Sequence, residues 1–158
     1  MGVVFCRIDD RLLHGQVVTT WLNVKQIEQV IIVDDNVAND KIQSNVLQMS
    51  VDSNIKLHIF SVNKFLKIVP NSTITRRTML LFASPIAVDK IVSSGFKIDK
   101  LNIGGVRSNG KRKQYAKAVF LTEDEKNALQ NLLRQGVDIE IQMVPTDGIE
   151  KFSEVLNK

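Results

Sequence analysis

Short runs rich in Val, Ile and Leu alternate with longer amphipathic segments along this chain, and that alternation constrains the fold more than any other feature. Residues 3–8, 30–33, 57–60, 78–82 and 101–103 each read as a buried strand bounded by polar or turn residues. Between them, residues 16–22, 40–49, 62–68 and 86–93 carry apolar side chains at helical spacing; in the second, the expected core positions are Ile42, Val46, Leu47 and Met49. Near-continuous apolar strands separated by helices predict an α/β fold. The expected form is a single open, mostly parallel twisted sheet flanked by helices.

The last third carries clearer punctuation. Thr122-Glu123-Asp124-Glu125 has the form of a capping box, and Ala128, Leu129, Leu132 and Leu133 form the core stripe of the helix it starts, with Gly136 placed to end it. Residues 138–144 alternate polar and apolar, which predicts a strand near the sheet edge, an antiparallel element at the C-terminal side. Pro145 closes it, and residues 149–156 read as a short final helix. With 158 residues and no repeat or linker, residues 1–158 are expected to form one domain.

Composition narrows the function classes. The chain has 44% hydrophobic and 24% charged residues, unlike a disordered chain. Lys plus Arg number 21 against 17 Asp plus Glu, a net +4 spread along the sequence, so charge alone does not indicate a nucleic-acid partner. The lone Cys6 rules out an internal disulfide and reads as a small core residue of the first strand, which fits a reducing compartment. No apolar run reaches the roughly 18 residues of a membrane span, and the N-terminus lacks the pattern of a signal peptide. A cytoplasmic protein with no direct membrane insertion is expected.

Open α/β sheets bind ligands at the carboxyl ends of their strands. The loop after the first strand reads Arg7-Ile8-Asp9-Asp10-Arg11-Leu12-Leu13-His14-Gly15-Gln16. A neutral imidazole is a competent nucleophile when its other nitrogen is held by a partner, which makes His14 the candidate catalytic group and either Asp9 or Asp10 its orienting carboxylate. Arg11 offers a fork of donors to phosphoryl oxygens. Gly15 allows close backbone approach, and the free amides of the helix start near Gly15, Gln16 and Val17 add partial positive charge. Arg7, Arg11, Gly15 and Gln16 are therefore the expected phosphoryl-binding set, and a covalent phosphohistidine is the chemistry this combination suits. The same residues also admit a plainer reading, an exposed histidine beside a surface ion pair.

Other features point elsewhere less well. His58 lies in an apolar strand and reads as a satisfied strand side chain, so no metal site is expected. Gly104-Gly105 lacks the spacing of a dinucleotide fingerprint, and no cofactor is expected. Arg107, Lys111, Arg112, Lys113 and Lys117 form a basic segment, either a solvated loop or a surface for an acidic partner or phosphorylated ligand. Ser84, after the fourth strand, would lie at the His14 end of a parallel sheet and is a candidate pocket residue. Trp21 reads as core.

The stretch from Arg7 to Val17 closely resembles the signature of the IIB component of the mannose, fructose and sorbose family of the bacterial sugar phosphotransferase system. Val33-Asp34-Asp35, Leu101-Asn102-Ile103-Gly104-Gly105, the run from Ala118 to Asp124, Gly136-Val137 and Gln142-Met143-Val144-Pro145 resemble that family in the same order. Departures are small: Leu13 stands where many relatives have Ile, and Val106 where Met is frequent. The resemblance implies a phosphocarrier. A IIA protein or domain would pass a phosphoryl group from its own histidine to His14, at Nδ1, with Arg11 helping to hold it, and the group would go on to a sugar held by the IIC/IID membrane permease. The competing class is a non-catalytic α/β module that binds a phosphorylated ligand or nucleic acid, but only Tyr115 interleaves the basic residues, and base stacking needs more aromatics.

Overall fold

The computed structural model describes residues 2–156, the side chains of Gln16 and Val17 excepted. A seven-stranded sheet runs through the molecule, formed by β1 (Val3–Asp9), β2 (Gln29–Val33), β3 (Lys56–Phe60), β4 (Thr78–Phe82), β5 (Lys100–Gly105), β8 (Asp138–Ile141) and β9 (Glu150–Lys151). Its order is β3-β2-β4-β1-β5-β8-β9. Every pairing is parallel except β8 with β9, the antiparallel element at the C-terminal edge. A separate antiparallel pair, β6 (Lys113–Ala116) and β7 (Val119–Leu121), joins the end of β5 through the bridge between Val106 and Val119.

Helices cover both faces, because strands this apolar must be buried on both sides. One face carries α1 (Gly15–Val24), α2 (Asp35–Ala38) and α3 (Lys41–Gln48), whose Val18, Trp21, Leu22, Val37 and Leu47 pack against Phe5, Val30, Ile32, Met79 and Leu81. On the other lie α4 (Val62–Ile68), α5 (Pro85–Ser93), α6 (Glu123–Arg134) and α7 (Phe152–Leu156), over Ile8, Ile31, Leu80, Phe82 and Ile103. Each fully buried Leu, Ile or Phe contributes about 2 kcal/mol from apolar surface removed from water.

The local signals explain most of the boundaries. Thr122 accepts from the Glu125 amide and the Glu125 carboxylate accepts from the Thr122 amide, so α6 starts on a complete capping box, and Gly136 follows its end with φ +90°. Ser84 caps α5 by accepting from Ile86 at 3.1 Å, and Pro85 occupies the first helical position.

Three expectations are corrected by the structure. In α3 only Leu47 is buried, while Ile42 and Met49 are 79% and 83% exposed, because 42, 46 and 49 share one side of the helix and Leu47 lies on another. The strand at 138 ends at Ile141, since Gln142 turns the chain by donating to the carbonyls of Pro145 and Asp147. The last helix starts at Phe152 because residues 150 and 151 pair with β8. His58 is a strand side chain as expected, exposed on the edge strand β3 with its ring 5.8 Å from that of Phe60.

Candidate functional site

β1 and β4 are neighbours, yet α1, which follows β1, packs on one face and α5, which follows β4, on the other. Their carboxyl ends therefore frame a topological switch point, where open α/β sheets place their ligands. Residues 10–14 occupy it.

The loop is wound around the Asp9 carboxylate. Asp9 is fully buried, its main-chain carbonyl accepts from Leu12 at 2.9 Å, and its Oδ1 accepts from the Arg11 amide at 3.1 Å. Leu12, buried beneath the loop, has φ +56°, and Gly15 has φ +50°; these two left-handed positions turn the chain from strand into helix. His14 is the residue that caps α1, with extended backbone and no side-chain bond to the helix amides. Its Nδ1 lies 3.1 Å from the Leu12 carbonyl and 3.9 Å from Asp9 Oδ1, while Nε2 is buried with no hydrogen-bond partner among the described residues. A carbonyl only accepts, so this contact favours the tautomer with hydrogen on Nδ1. Leu13, His14, Gly15, Val18, Thr19, Leu22 and Ser50 line a hollow of about 120 Å³.

The structure distributes the expected site residues unevenly. Arg11 stands at the rim, 38% exposed, with Nε 3.9 Å from Asp9 Oδ1 and its fork directed to no other acidic group among the described residues. Gly15 begins the helix beside His14. The Gln16 side chain lies outside the described residues.

Of the two aspartates, Asp9 is the one beside His14. Asp10 turns away: its Oδ2 accepts from the amide and Nε of Arg107 at 3.0 and 3.2 Å and lies 3.6 Å from Arg112 Nη1. Two cations of the basic segment thereby face an acidic group of this chain, Arg112 largely buried and Arg107 still 65% exposed. Ser84 acts as the α5 cap and does not line the His14 hollow.

Arg7 is not in the loop but under it, with no exposed surface. Nη1 donates to Asn102 Oδ1 at 2.6 Å and the Gln142 carbonyl at 3.2 Å; Nη2 donates to Asp9 Oδ2 at 3.2 Å and the Met143 carbonyl at 3.1 Å. Burial pulls the guanidinium below its ordinary pKa, and the Asp9 charge and hydrogen bond offset that only in part. Its reach is to protein acceptors, so it bears on the loop through Asp9. Neither Asn102 nor the carbonyls of Gln142 and Met143 are distinguishable from ordinary strand and loop residues by type. Only their places in the Leu101–Gly105 and Gln142–Pro145 stretches could have signalled them.

Among the described residues, no group of three or more His, Cys, Asp or Glu side chains is arranged to hold a metal ion, and no helix is long and apolar enough to cross a membrane.

The chain matches the family described as the sorbose-subfamily IIB component of the phosphotransferase system over residues 3–158. It belongs to that family. This IIB chain is 34% identical over 157 residues to the fructose-specific EIIB component of Bacillus subtilis, covering 99% of itself and 96% of that protein. It is 32% identical to the sorbose-specific EIIB component of Klebsiella pneumoniae, covering 100% of itself and 97% of the relative. It matches the mannose-specific EIIAB component of Escherichia coli at 32% identity, spanning all of itself but 49% of that longer protein. Among solved structures, the IIBSor domain of the sorbose permease from Klebsiella pneumoniae superposes with a TM-score of 0.94 at 32% identity, over 99% of this chain and 97% of that one. The structure titled manxB from Thermoanaerobacter tengcongensis gives 0.89 at 34% identity, over 99% and 95%. Membership brings a transferase role within the sugar phosphotransferase system.

Proposed function

We propose that this IIB chain is a cytoplasmic phosphocarrier, associated peripherally with its permease, that accepts a phosphoryl group on His14 from a phosphorylated IIA partner and donates it to the sugar imported by an IIC/IID permease. The observation that carries the reading is His14 itself: an imidazole at the switch point of the sheet, at the N-cap of α1, with Asp9 beneath and Arg11 at the rim.

In the transfer, the lone pair of one His14 nitrogen attacks phosphorus as the bond to the donor's histidine breaks. The other nitrogen keeps its proton, and no external oxidant or base is consumed. Arg11 neutralises charge on the equatorial oxygens, and the free amides at the start of α1 add partial positive charge. In the second transfer the sugar hydroxyl oxygen attacks phosphorus as the bond to His14 breaks, and the hydroxyl proton passes to the freed His14 nitrogen and from there to solvent. The naming of the Escherichia coli relative as an EIIAB component supports a IIA partner. The sugar itself is a property of the permease.

The test uses labelled phosphoryl donors. Protein given ATP alone stays unlabelled, because the run from Gly105 to Lys111 continues to Arg112 where a phosphate-binding loop needs Ser or Thr, and it leads into β6 rather than into a helix. With the complete donor cascade it takes up acid-labile phosphate, which His14→Ala abolishes while the fold persists. Sugar phosphate forms only when membranes carrying the permease and mannose, fructose, sorbose or an amino sugar are added. Direct labelling by ATP, labelling that survives His14→Ala, or sugar phosphate formed without membranes would overturn the reading.

A further inference from the structure

The backbone at Gly104 does not call for glycine, since only Gly2, Gly15, Gly95, Gly110 and Gly136 have left-handed φ among the described glycines. Space does. A Cβ built at 104 would overlap Arg7 Cζ and both of its terminal nitrogens. The guanidinium has nowhere to retreat, because its terminal nitrogens are bound to Asn102, Gln142, Asp9 and Met143 and its Cζ lies 5.3 Å from the centre of the Trp21 ring.

We propose that Gly104 and Asn102 are positioning residues for the His14 reaction: Gly104 is the socket and Asn102 the clamp that hold Arg7 where it fixes Asp9, and Asp9 in turn sets the His14 loop. The inference rests on the reading of His14 as the phosphoryl acceptor.

The chain of contacts is short and covers both oxygens of one carboxylate. Asp9 Oδ2 is held by Arg7 Nη2, which leaves Oδ1 aimed at the Arg11 amide, 3.1 Å away, and toward His14 Nδ1, 3.9 Å away. β5 contributes a second hold, since the Gly105 carbonyl accepts from the Asp10 amide at 3.0 Å. The Met143 carbonyl receives both Arg7 Nη2 and Trp21 Nε1, the latter at 2.8 Å, so α1 and its capping histidine are anchored to the same guanidinium. Displacing Arg7 therefore disturbs Asp9 and α1 together. A well-packed interior does not absorb a methyl group without such a shift.

The test is a double-mutant cycle on phosphoryl transfer from a phosphorylated IIA protein, together with the ring ¹⁵N resonances of His14, which report tautomer and surroundings without any transfer. Gly104→Ala lowers kcat at least tenfold, leaves KM for the donor within twofold, and shifts the ring resonances. In the Arg7→Lys background the same substitution costs less than twofold, because lysine lacks the planar head that fills the socket. Asn102→Ala adds no bulk; it removes the nearer of the two acceptors of Arg7 Nη1, lowers kcat severalfold and moves the same resonances, which keeps the proposal testable should Gly104→Ala not fold. Equal costs of Gly104→Ala in the two backgrounds would overturn it, as would unchanged rates and resonances in Asn102→Ala. Absence of labelling on the wild-type chain would instead count against the phosphocarrier reading, while the resonances still decide whether Gly104 and Asn102 set His14.

Discussion

Arg112 grips Glu125 through both carboxylate oxygens, Nε to Oε1 at 2.8 Å and Nη2 to Oε2 at 2.9 Å, and its remaining nitrogen, Nη1, lies 3.6 Å from Asp10 Oδ2. One guanidinium thus joins the capping box of α6 to the loop that carries His14. Both partners are largely buried, so removing one leaves an uncompensated charge. Arg112→Ala is expected to destabilise the fold by about 3 kcal/mol, read from the midpoint shift in urea unfolding. A shift under a third of that would mean the bridge is solvated.

The same pair gives a pH dependence. Burial alone would raise the Glu125 carboxyl, but the Arg112 hydrogen bond, the Thr122 amide and the Arg112 charge together hold it below the usual range. Arg112 is raised in turn, chiefly by its bond to Glu125, and stays charged throughout. With the folded value depressed, the unfolded chain binds the proton first as pH falls. The bridge's contribution is therefore complete above the unfolded value of about 4.3 and is lost as pH drops through the folded one. In calorimetry, Glu125→Gln should melt below wild type at pH 7, and the gap should narrow as pH falls below about 4.3; a constant gap would show that the charge is not what matters.

Arg11 differs from Arg7 in having no buried role. Its side chain is 38% exposed and its nearest acidic atom is Asp9 Oδ1 at 3.9 Å, a pair worth less than about 1 kcal/mol. Arg11→Lys keeps the charge and loses the fork, so transfer to His14 should slow more than tenfold while the melting temperature moves by only a few degrees. Wild-type transfer rates in this variant would remove Arg11 from the mechanism.

The ring nitrogens of His14 make a separate prediction. Family resemblance implies phosphorylation at Nδ1, and in the resting structure Nδ1 is the atom 3.1 Å from the Leu12 carbonyl. Transfer to Nδ1 therefore requires the ring to release Leu12 and carry its proton on Nε2 instead. Long-range proton–nitrogen spectra of the free and phosphorylated chain should show this exchange of tautomer. Phosphorus coupled to Nε2, with the proton still on Nδ1, would mean the resting geometry is also the reactive one.

Periodicity sufficed for the sheet because its strands are buried on both faces and therefore apolar throughout; β4 coincides with its expected limits, and the capping box fixed the start of α6. It misled at α3, where an apolar stripe faces outward, because spacing reports a face but not which way it turns. It gave no sign of β6 and β7, whose residues alternate too weakly over three and four positions. At the site, residue types within one loop were legible, since Asp9, Arg11, His14 and Gly15 meet by being neighbours in sequence. What lay beyond reach was the division between the two aspartates and the burial of Arg7. Both depend on partners about a hundred positions away, Arg107 for Asp10 and Asn102 for Arg7, which only the sheet register brings close.

Cys6 offers a measure of how firmly the central strand is closed. It lies on β1, buried between β4 and β5, and burial, aided by the charge of Asp99, pushes its thiol up to about 12. At pH 8 only about one native thiol in ten thousand is then ionised, against roughly a quarter in the unfolded chain, whose thiol is near 8.5. Alkylation should therefore proceed only through opening of the strand, and its rate should rise with urea in step with global unfolding. The sign for stability follows from the same values. Between about pH 8.5 and 12 the unfolded chain has lost a proton that the native chain keeps, so stability falls as pH rises, by at most about 1.4 kcal/mol per unit from this one group. Cys6→Ala should remove that slope while costing some packing in its own right. Native alkylation at the rate of a free thiol, or an unchanged alkaline slope in the variant, would show that β1 opens locally and that its carboxyl end, where His14 is carried, is not held by the sheet as tightly as its neighbours suggest.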